Sequence, residues 1–410
     1  MLAALLTLAL FAAQPAERVV DVRVQGNTLT SDAEIVTMAN VPQGTEVTPT
    51  LIADITRRLK TGGRFERVEV VKRYASIADL SQVLLVIIVD EGRVTVRPMK
   101  DGQPARAVRR RLPALMFLPL FGYPEGYGFT YGALITMPNV AGPRTRVSVP
   151  LTWGGERRAG VELEKRLDSP RLTRFVVNGT LIDRENPAYE TSDIRQQVSV
   201  SADREIVRAL RLGAWSGFDN VSFGGEESRL VRLGLDAAVD TRVDPMLSRN
   251  AVYVRGALER LDILDGGAPL RTLVDANGYI GGPGPTTIVL RAYRNASNDP
   301  VPPYLKVLLG RDSTLRGVPS GVAAGDSTAA GTIELRVPVS SPLNIAKFGV
   351  RAFVDAATVY DAGEHLTDQR FDRSIGGGVW VTLTVIRLAL DVARDSRGTT
   401  RVQLNSGLLF

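Results

Sequence analysis

From about Tyr127 to Phe410 the sequence alternates polar and apolar residues in segment after segment, and this two-residue period constrains the fold more than any other feature. Successive side chains point to opposite faces only in a β-strand. In Thr332–Val339 the residues Ile333, Leu335, Val337 and Val339 fall on one side, and Thr332, Glu334 and Arg336 on the other. Val231–Asp240 sets Leu233, Leu235 and Val239 against Arg232 and Asp236. Arg387–Ala393 sets Leu388, Leu390 and Val392 against Arg387 and Asp391, and Ala251–Glu259 sets Val252, Val254 and Leu258 against Arg255 and Glu259.

Alternation alone fits either a soluble sandwich or a membrane-spanning barrel. Three features favour the barrel. The segments run to about ten residues, the length a tilted strand needs to cross a bilayer. They continue without a helical pattern to the end of the chain. Their polar faces carry both signs of charge repeatedly, as a wet interior does. Fifteen segments can be counted, beginning near residues 127, 144, 158, 173, 195, 209, 229, 250, 270, 286, 332, 347, 375, 387 and 401. Bacterial barrels usually have an even number of strands. Sixteen are therefore expected, the missing one being placed between residues 137 and 229.

The front of the chain reads differently. Residues 1–16, MLAALLTLALFAAQPA, form an apolar run ending in small residues, as a secretory signal peptide does, although no Lys or Arg precedes the run. Residues 18–92 read as a compact α/β domain of order β-α-α-β-β. In its first strand Val20, Val22 and Val24 share a face, and the strand stops at Gly26-Asn27, a turn signal. Ser31 is the expected N-cap of the first helix, with Glu34 placed as in a capping box. Pro49 opens the second helix, whose apolar stripe is Leu51, Ile55 and Leu59, and Gly62-Gly63 ends it. Two strands follow. Residues 93–122, rich in Arg and Pro, read as a linker, and the barrel is assigned to 123–410.

Composition narrows the chemistry. There is no cysteine, and the single histidine is His365, which removes thiol nucleophiles and Cys/His zinc sites. No catalytic constellation, metal site or cofactor motif is seen, so a non-enzymatic protein without cofactors is expected. Lys plus Arg number 50 against 44 for Asp plus Glu, a net charge of +6. The arginines are scattered among apolar residues and not clustered, which points to a lumen and away from nucleic acid.

Several motifs carry a resemblance to a known family. The VxGN ending of the first strand, Gly26 and Asn27 included, Gly44, the run TGGRFERVEV with Gly62 and Phe65, and the closing VLLVIIVDEG resemble a POTRA domain. In the longest interruption, residues 295–331, LLGRDSTLRGVPSG contains Leu315, Arg316 and Gly317. These resemble the V/L-R-G-F/Y motif of a loop that folds into the lumen, with Val318 where an aromatic is usual. FGVRAFVDAATVYD is similar to an F-x-D-x-G strand, Phe353 and Asp355 matching and Ala357 standing in place of glycine. TRVQLNSGLLF, with Leu404, Leu408 and the terminal Phe410 on one face, resembles a barrel assembly signal. YPEGYGFTYG resembles the family's entry to its first barrel strand. Together these identify the chain as similar to the outer-membrane assembly-factor superfamily, of the BamA/TamA-like surface antigen kind.

The resemblance implies a transmembrane antiparallel barrel of about 16 strands behind one POTRA domain. It implies that Arg316 meets Asp355 in the lumen, and that the first and last strands, at 127–137 and 401–410, meet at a weak seam. It further implies an outer-membrane protein with its POTRA domain in the periplasm. The implied partners are membrane lipids, unfolded client barrel proteins or a secreted protein, and periplasmic chaperones or accessory lipoproteins. Two rivals remain. One is a two-partner secretion transporter, which usually carries two POTRA domains and a plug helix. The other is a passive pore.

Overall fold

The computed structural model describes residues 17–410 except 28–29, 62, 66, 76–78, 80, 92–93, 98–105, 110–114, 168, 170, 243–246, 265, 311–313, 344–345, 384–385 and 409–410. The segment read as a signal peptide, Gly62 and Phe410 therefore lie outside the described residues. Two compact units divide near residue 115.

The first unit contains β1 (Arg18–Gln25), α1 (Asp32–Ala39), α2 (Pro49–Thr61), β2 (Arg67–Tyr74) and β3 (Gln82–Asp90). The sheet order is β1-β3-β2, with β1 parallel to β3 and β2 antiparallel to it. The central strand is the most apolar, and Val83, Leu85, Ile87 and Val89 bury one of its faces against Ile35, Ile52, Ile55 and Leu59 of the helices. On β1 a register shift between Val19 and Asp21 turns Val19 inward in place of Val20, with Val22 and Val24 packed beside it. A bulge inserts one residue and so flips the parity a strict alternation would assign. Ser31 caps α1 by accepting from Glu34 N, but the Glu34 carboxylate pairs with Arg64 and not with the cap. Thr48 Oγ1 accepts from Leu51 N at 3.1 Å and starts α2. Gly26 sits at φ +83°, where a Cβ would fall 2.2 Å from Val89 O, so the turn after β1 needs glycine. Asn27 then donates to Thr30 O and to Asp32, leading the chain into α1. Gly44 has φ +83°, and Phe65 is buried in the core. A short hairpin, β4 (Val94–Arg97) with β5 (Arg106–Arg109), follows in what reads from sequence as linker.

The second unit is one antiparallel sheet of 16 strands. It begins with β6 (Met116–Gly122), β7 (Thr130–Pro138), β8 (Thr145–Gly154), β9 (Glu156–Arg166), β10 (Arg174–Asn186), β11 (Thr191–Val207), β12 (Leu210–Phe223), β13 (Glu226–Asp240), β14 (Ala251–Ile263), β15 (Leu270–Gly281) and β16 (Thr287–Ser297). A two-residue ladder in the following loop, β17 (Val307–Leu308) with β18 (Ala324–Gly325), stands apart from the wall. The wall resumes with β19 (Ser327–Leu343), β20 (Ala346–Tyr360), β21 (Asp372–Leu383), β22 (Ile386–Asp395) and β23 (Thr400–Leu408). Each wall strand pairs with its neighbour in the chain, and β6 comes within 8 Å of β23 (Cα–Cα), so the sheet closes on itself.

The strand missing from the sequence count is β6, not one between residues 137 and 229. Its sequence, MFLPLFG, contains a proline and no charge, so neither propensity nor alternation marks it. The first strand and the seam accordingly begin at Met116, inside the expected linker, and not at Tyr127.

The two faces of the wall differ as a bilayer requires. Ile333, Leu335, Leu233, Leu235, Ile375, Val379, Leu390 and Val402 are exposed on the outside. Their strand neighbours Glu334, Asp236, Ser374 and Asp391 are buried inside. No helix among the described residues is long and apolar enough to cross a membrane. A β-barrel needs none, because pairing between strands satisfies the backbone along the wall, here everywhere but at the β6–β23 seam among the described residues. Wall height varies: β6 has 7 residues and β23 has 9, whereas β11 and β19 have 17 each. At roughly 3.3 Å per residue this is about 23 Å of strand against about 55 Å.

Candidate functional site: a loop tethered to the inner wall

Residues 298–310 and 314–326, between β16 and β19, turn back among the inward faces of the strands. β17 and β18 hold the loop's two limbs together, and Gly321 N donates to Leu309 O at 3.0 Å. At its tip Arg316 is enclosed by side chains from β19 and β20. Nε and Nη2 each donate to Asp355 at 2.8 Å, the Arg316 amide donates to the same carboxylate at 3.2 Å, and Nη1 donates to Glu334 at 2.5 Å. The guanidinium also lies 3.3 Å from the centre of the Phe353 ring. Phe353 reaches this position because Gly376 on β21 has no side chain; a Cβ there would be 2.7 Å from the ring.

The chemistry of this pocket is specific. A planar guanidinium binds a carboxylate through two parallel hydrogen bonds and stacks on an aromatic face, whereas an ammonium does neither. Arg316, Glu334 and Asp355 are all nearly inaccessible to solvent. Burial pushes the Arg316 pKa down, but the bonds and charges of Asp355 and Glu334 outweigh it and raise it above the usual arginine value, so the tether stays charged. The network continues along the wall. Glu334 also pairs with Arg336 at 2.5 Å and lies 3.9 Å from Arg351, which itself grips Asp391 on β22.

Gly317 has φ +84° and lies against β22, where a Cβ would stand 2.8 Å from the Ala393 Cβ. Its amide donates to Gln403 Oε1 at 2.9 Å, and Gln403 Nε2 donates to Val318 O at 3.3 Å. The last strand thus holds the loop tip as well. Leu315 is fully buried in an apolar cluster with Leu309, Val318 and Ala357. The two positions where the sequence departs from the family pattern therefore sit in one cluster, the smaller Val318 beside the larger Ala357.

A second anchor lies on the other flank. Tyr304 bonds Ser228 through its hydroxyl at 2.6 Å, its carbonyl accepts from Arg195 at 2.6 Å, and the Leu305 carbonyl accepts from Arg271 at 2.8 Å. Val221, Leu230, Leu261, Ile263 and Val301 pack with Tyr304. Buried Asp326 accepts from the amides of Val301 and Ala362, joining the loop's root to the turn after β20. Gly321 approaches Ala188 in the β10–β11 turn so closely that a Cβ would lie 2.7 Å from its amide.

Leu404 is exposed on the outer face of β23; the side chains of Leu408 and Phe410 lie outside the described residues. His365 lies in the β20–β21 turn, beside a short 3-10 segment. Sequence reasoning did not single out Glu334, Gln403, Arg351, Asp391, Tyr304 or Asp326 as partners. Each is a polar member of an ordinary pattern, and only closure of the sheet brings it to the loop.

A closed sixteen-stranded sheet with an apolar exterior, an ion-paired interior and an inward loop defines an outer-membrane type of β-barrel protein. The Omp85 superfamily domain matches residues 122–410, and the chain belongs to that superfamily. Among solved structures it is similar to BamA from Haemophilus ducreyi lacking POTRA domains 1–3, with a TM-score of 0.61, 15% identity, and 97% of this chain and 85% of that one covered. It is similar to CdiB from Escherichia coli, with a TM-score of 0.54 and 10% identity over 98% of this chain and 92% of that one. CdiB from Acinetobacter baumannii follows at 0.52 and 12%, over 96% and 74% of the two chains. At these identities the likeness is one of fold. None of the curated proteins compared with the chain matches it. The outer membrane is the location that family and barrel support.

Proposed function

We propose that this protein inserts client barrel proteins into the outer membrane, or passes a polypeptide across it, by opening the wall between β6 and β23. The observation that carries this reading is the state of the seam. Among the described residues β6 pairs only with β7 and β23 only with β22, although the two strands come together. They are also among the shortest strands of the wall. A strand without a ladder partner exposes backbone donors and acceptors where water is scarce, so a client strand can pair there.

In this reading residues 18–92 are a POTRA domain in the periplasm that receives client segments by β-augmentation, in which main-chain bonds give affinity without demanding sequence. Its strand order, and a likeness to the BamA structure that covers 97% of this chain, support the assignment. β2 is the better receiving edge. The start of β1 is already covered, since Val19 N donates to Thr45 O and Gly44 N to Val19 O. The Leu315-Arg316-Gly317 loop, locked to Asp355, braces the wall beside the seam through Gln403 of β23. Leu404, Leu408 and Phe410 act as the chain's own assembly signal. Clients are unfolded barrel proteins, with chaperones or lipoproteins as accessories. A two-partner-type secretion transporter is the second reading, favoured by the near-complete mutual coverage with CdiB.

Reconstitution of the full chain into liposomes, followed by addition of an unfolded outer-membrane barrel, tests the proposal. Protease-resistant client should accumulate faster than in empty liposomes. Client that instead becomes enclosed in the vesicle lumen would favour the transporter, and no difference from empty liposomes would contradict both.

A further inference from the structure

The wall from β8 to β14 carries an unbroken chain of ion pairs, one residue per strand and alternating in sign. Arg146 pairs with Glu164 at 2.7 Å, Glu164 with Arg174 at 3.1 Å, and Arg174 with Asp203 at 3.3 Å. Asp203 pairs with Arg211 at 2.6 Å, Arg211 with Asp236 at 2.9 Å, and Asp236 with Arg255 at 3.3 Å. All seven lie at one end of the wall, near the starts of β8, β10, β12 and β14 and the ends of β9, β11 and β13. Gly213 makes room for the belt: a Cβ there would fall 2.2 Å from an Asp236 oxygen and 2.7 Å from an Asp203 oxygen.

By count the belt is nearly neutral, but by surface it is not. The Glu164, Asp203 and Asp236 side chains are only 4%, 7% and 5% exposed, whereas the four arginines are 38–39% exposed. Short carboxylates hug the wall, and long arginine stems carry their charge above it. The pattern recurs beyond the belt, where Asp219 is 3% exposed beneath Arg232 at 25%. The more open carboxylates at this end of the wall are Glu205 on β11, Asp240 on β13, which is paired with Arg242, and Glu162, which faces Arg146; on the neighbouring β15, Asp275 faces Arg291.

We propose that this belt is a binding surface for carboxylate-bearing segments of an extended polypeptide entering the lumen. The choice of a polypeptide rests on the assembly or translocation reading; the basic surface itself does not. Neighbouring strands lie about 4.8 Å apart, so arginines on alternate strands recur at about 10 Å. An extended chain in the polyproline II form rises about 3.1 Å per residue and turns once every three residues, so acidic side chains at every third position share one face and recur at about 9.3 Å, close to the same repeat. Guanidinium groups already sharing one carboxylate still present free N–H donors to a second.

Trp215 supplies the readout, because it lies on the same inward face of β12 as Arg211 and Gly213. The full chain with Trp153→Phe and Trp380→Phe leaves it as the sole tryptophan. In uncharged detergent at fixed ionic strength, with each quenching constant divided by its value for free N-acetyltryptophanamide, iodide should quench it about threefold more effectively than caesium. Neutral acrylamide should fall between them. A Glu-Ser-Ser repeat peptide should lower iodide quenching, and a Lys-Ser-Ser peptide should not. In Arg146→Gln with Arg255→Gln every belt carboxylate keeps one arginine, so folding is preserved; the iodide preference should fall toward unity. Arg146→Lys with Arg255→Lys should retain it. Equal quenching by iodide and caesium, or no quenching by any of the three, overturns the proposal. An iodide preference that the acidic peptide leaves untouched overturns the polypeptide ligand. None of these readings depends on client insertion, so a failed insertion assay leaves them distinct.

Discussion

The β19–β22 wall and the β8–β14 wall use the same residue types for opposite ends. Around Arg316 the ion pairs are sealed: Arg316, Glu334 and Asp355 have almost no solvent contact, and Phe353 covers the guanidinium. Along the belt the acids are covered and the arginines remain half open. A sealed pair stands to lose far more when one partner is removed, because the survivor keeps its desolvation cost without its Coulombic return. A half-open pair exchanges its partner for water at little cost. The comparison teaches that burial, and not the number of ion pairs, separates a structural tether from a charged surface.

The largest effect should therefore come from Arg316→Ala, which strips Asp355 of its guanidinium partner and Glu334 of one of its arginines. A loss of about 3–5 kcal/mol is expected, read as a lower unfolding midpoint in detergent and as new protease cleavage within residues 298–326. Arg316→Lys should recover only part of this, since an ammonium cannot make the paired bonds. If Arg316→Ala costs no more than a belt arginine, the contrast between the walls is wrong.

Gly317→Ala should cost about 1–3 kcal/mol, from the left-handed backbone and the close Ala393, with the same loop cleavage as readout. Val318→Phe should cost about 1–3 kcal/mol by overpacking the Leu309–Leu315–Ala357 cluster. Adding Ala357→Gly should restore much of that loss, and a purely additive double variant would show that the two departures do not compensate. The smallest effect is expected for Arg255→Gln, below about 1 kcal/mol, because Asp236 keeps Arg211.

Much of the barrel was legible in sequence because a two-residue period leaves little else to build. The inward positions of Glu334, Asp236 and Asp391 follow directly from it. β6 was not legible, because MFLPLFG carries no charge to mark its inner face and Pro119 argues against a strand. Val20 was misplaced because a bulge leaves no trace in an apolar-polar count. Arg316 and Asp355 could be paired only through a family resemblance, since 39 residues separate them. Gln403, 86 residues from Gly317, carried no signal at all beyond being polar on an alternating strand.

The most direct trial of the whole account is to staple the barrel shut. Because the chain has no cysteine, one introduced on β6 and one on β23 form a unique disulfide. Client insertion should stop when the bond forms and resume on reduction. Undiminished insertion by the oxidised protein would contradict the claim that the gap between the first and last wall strands does the work.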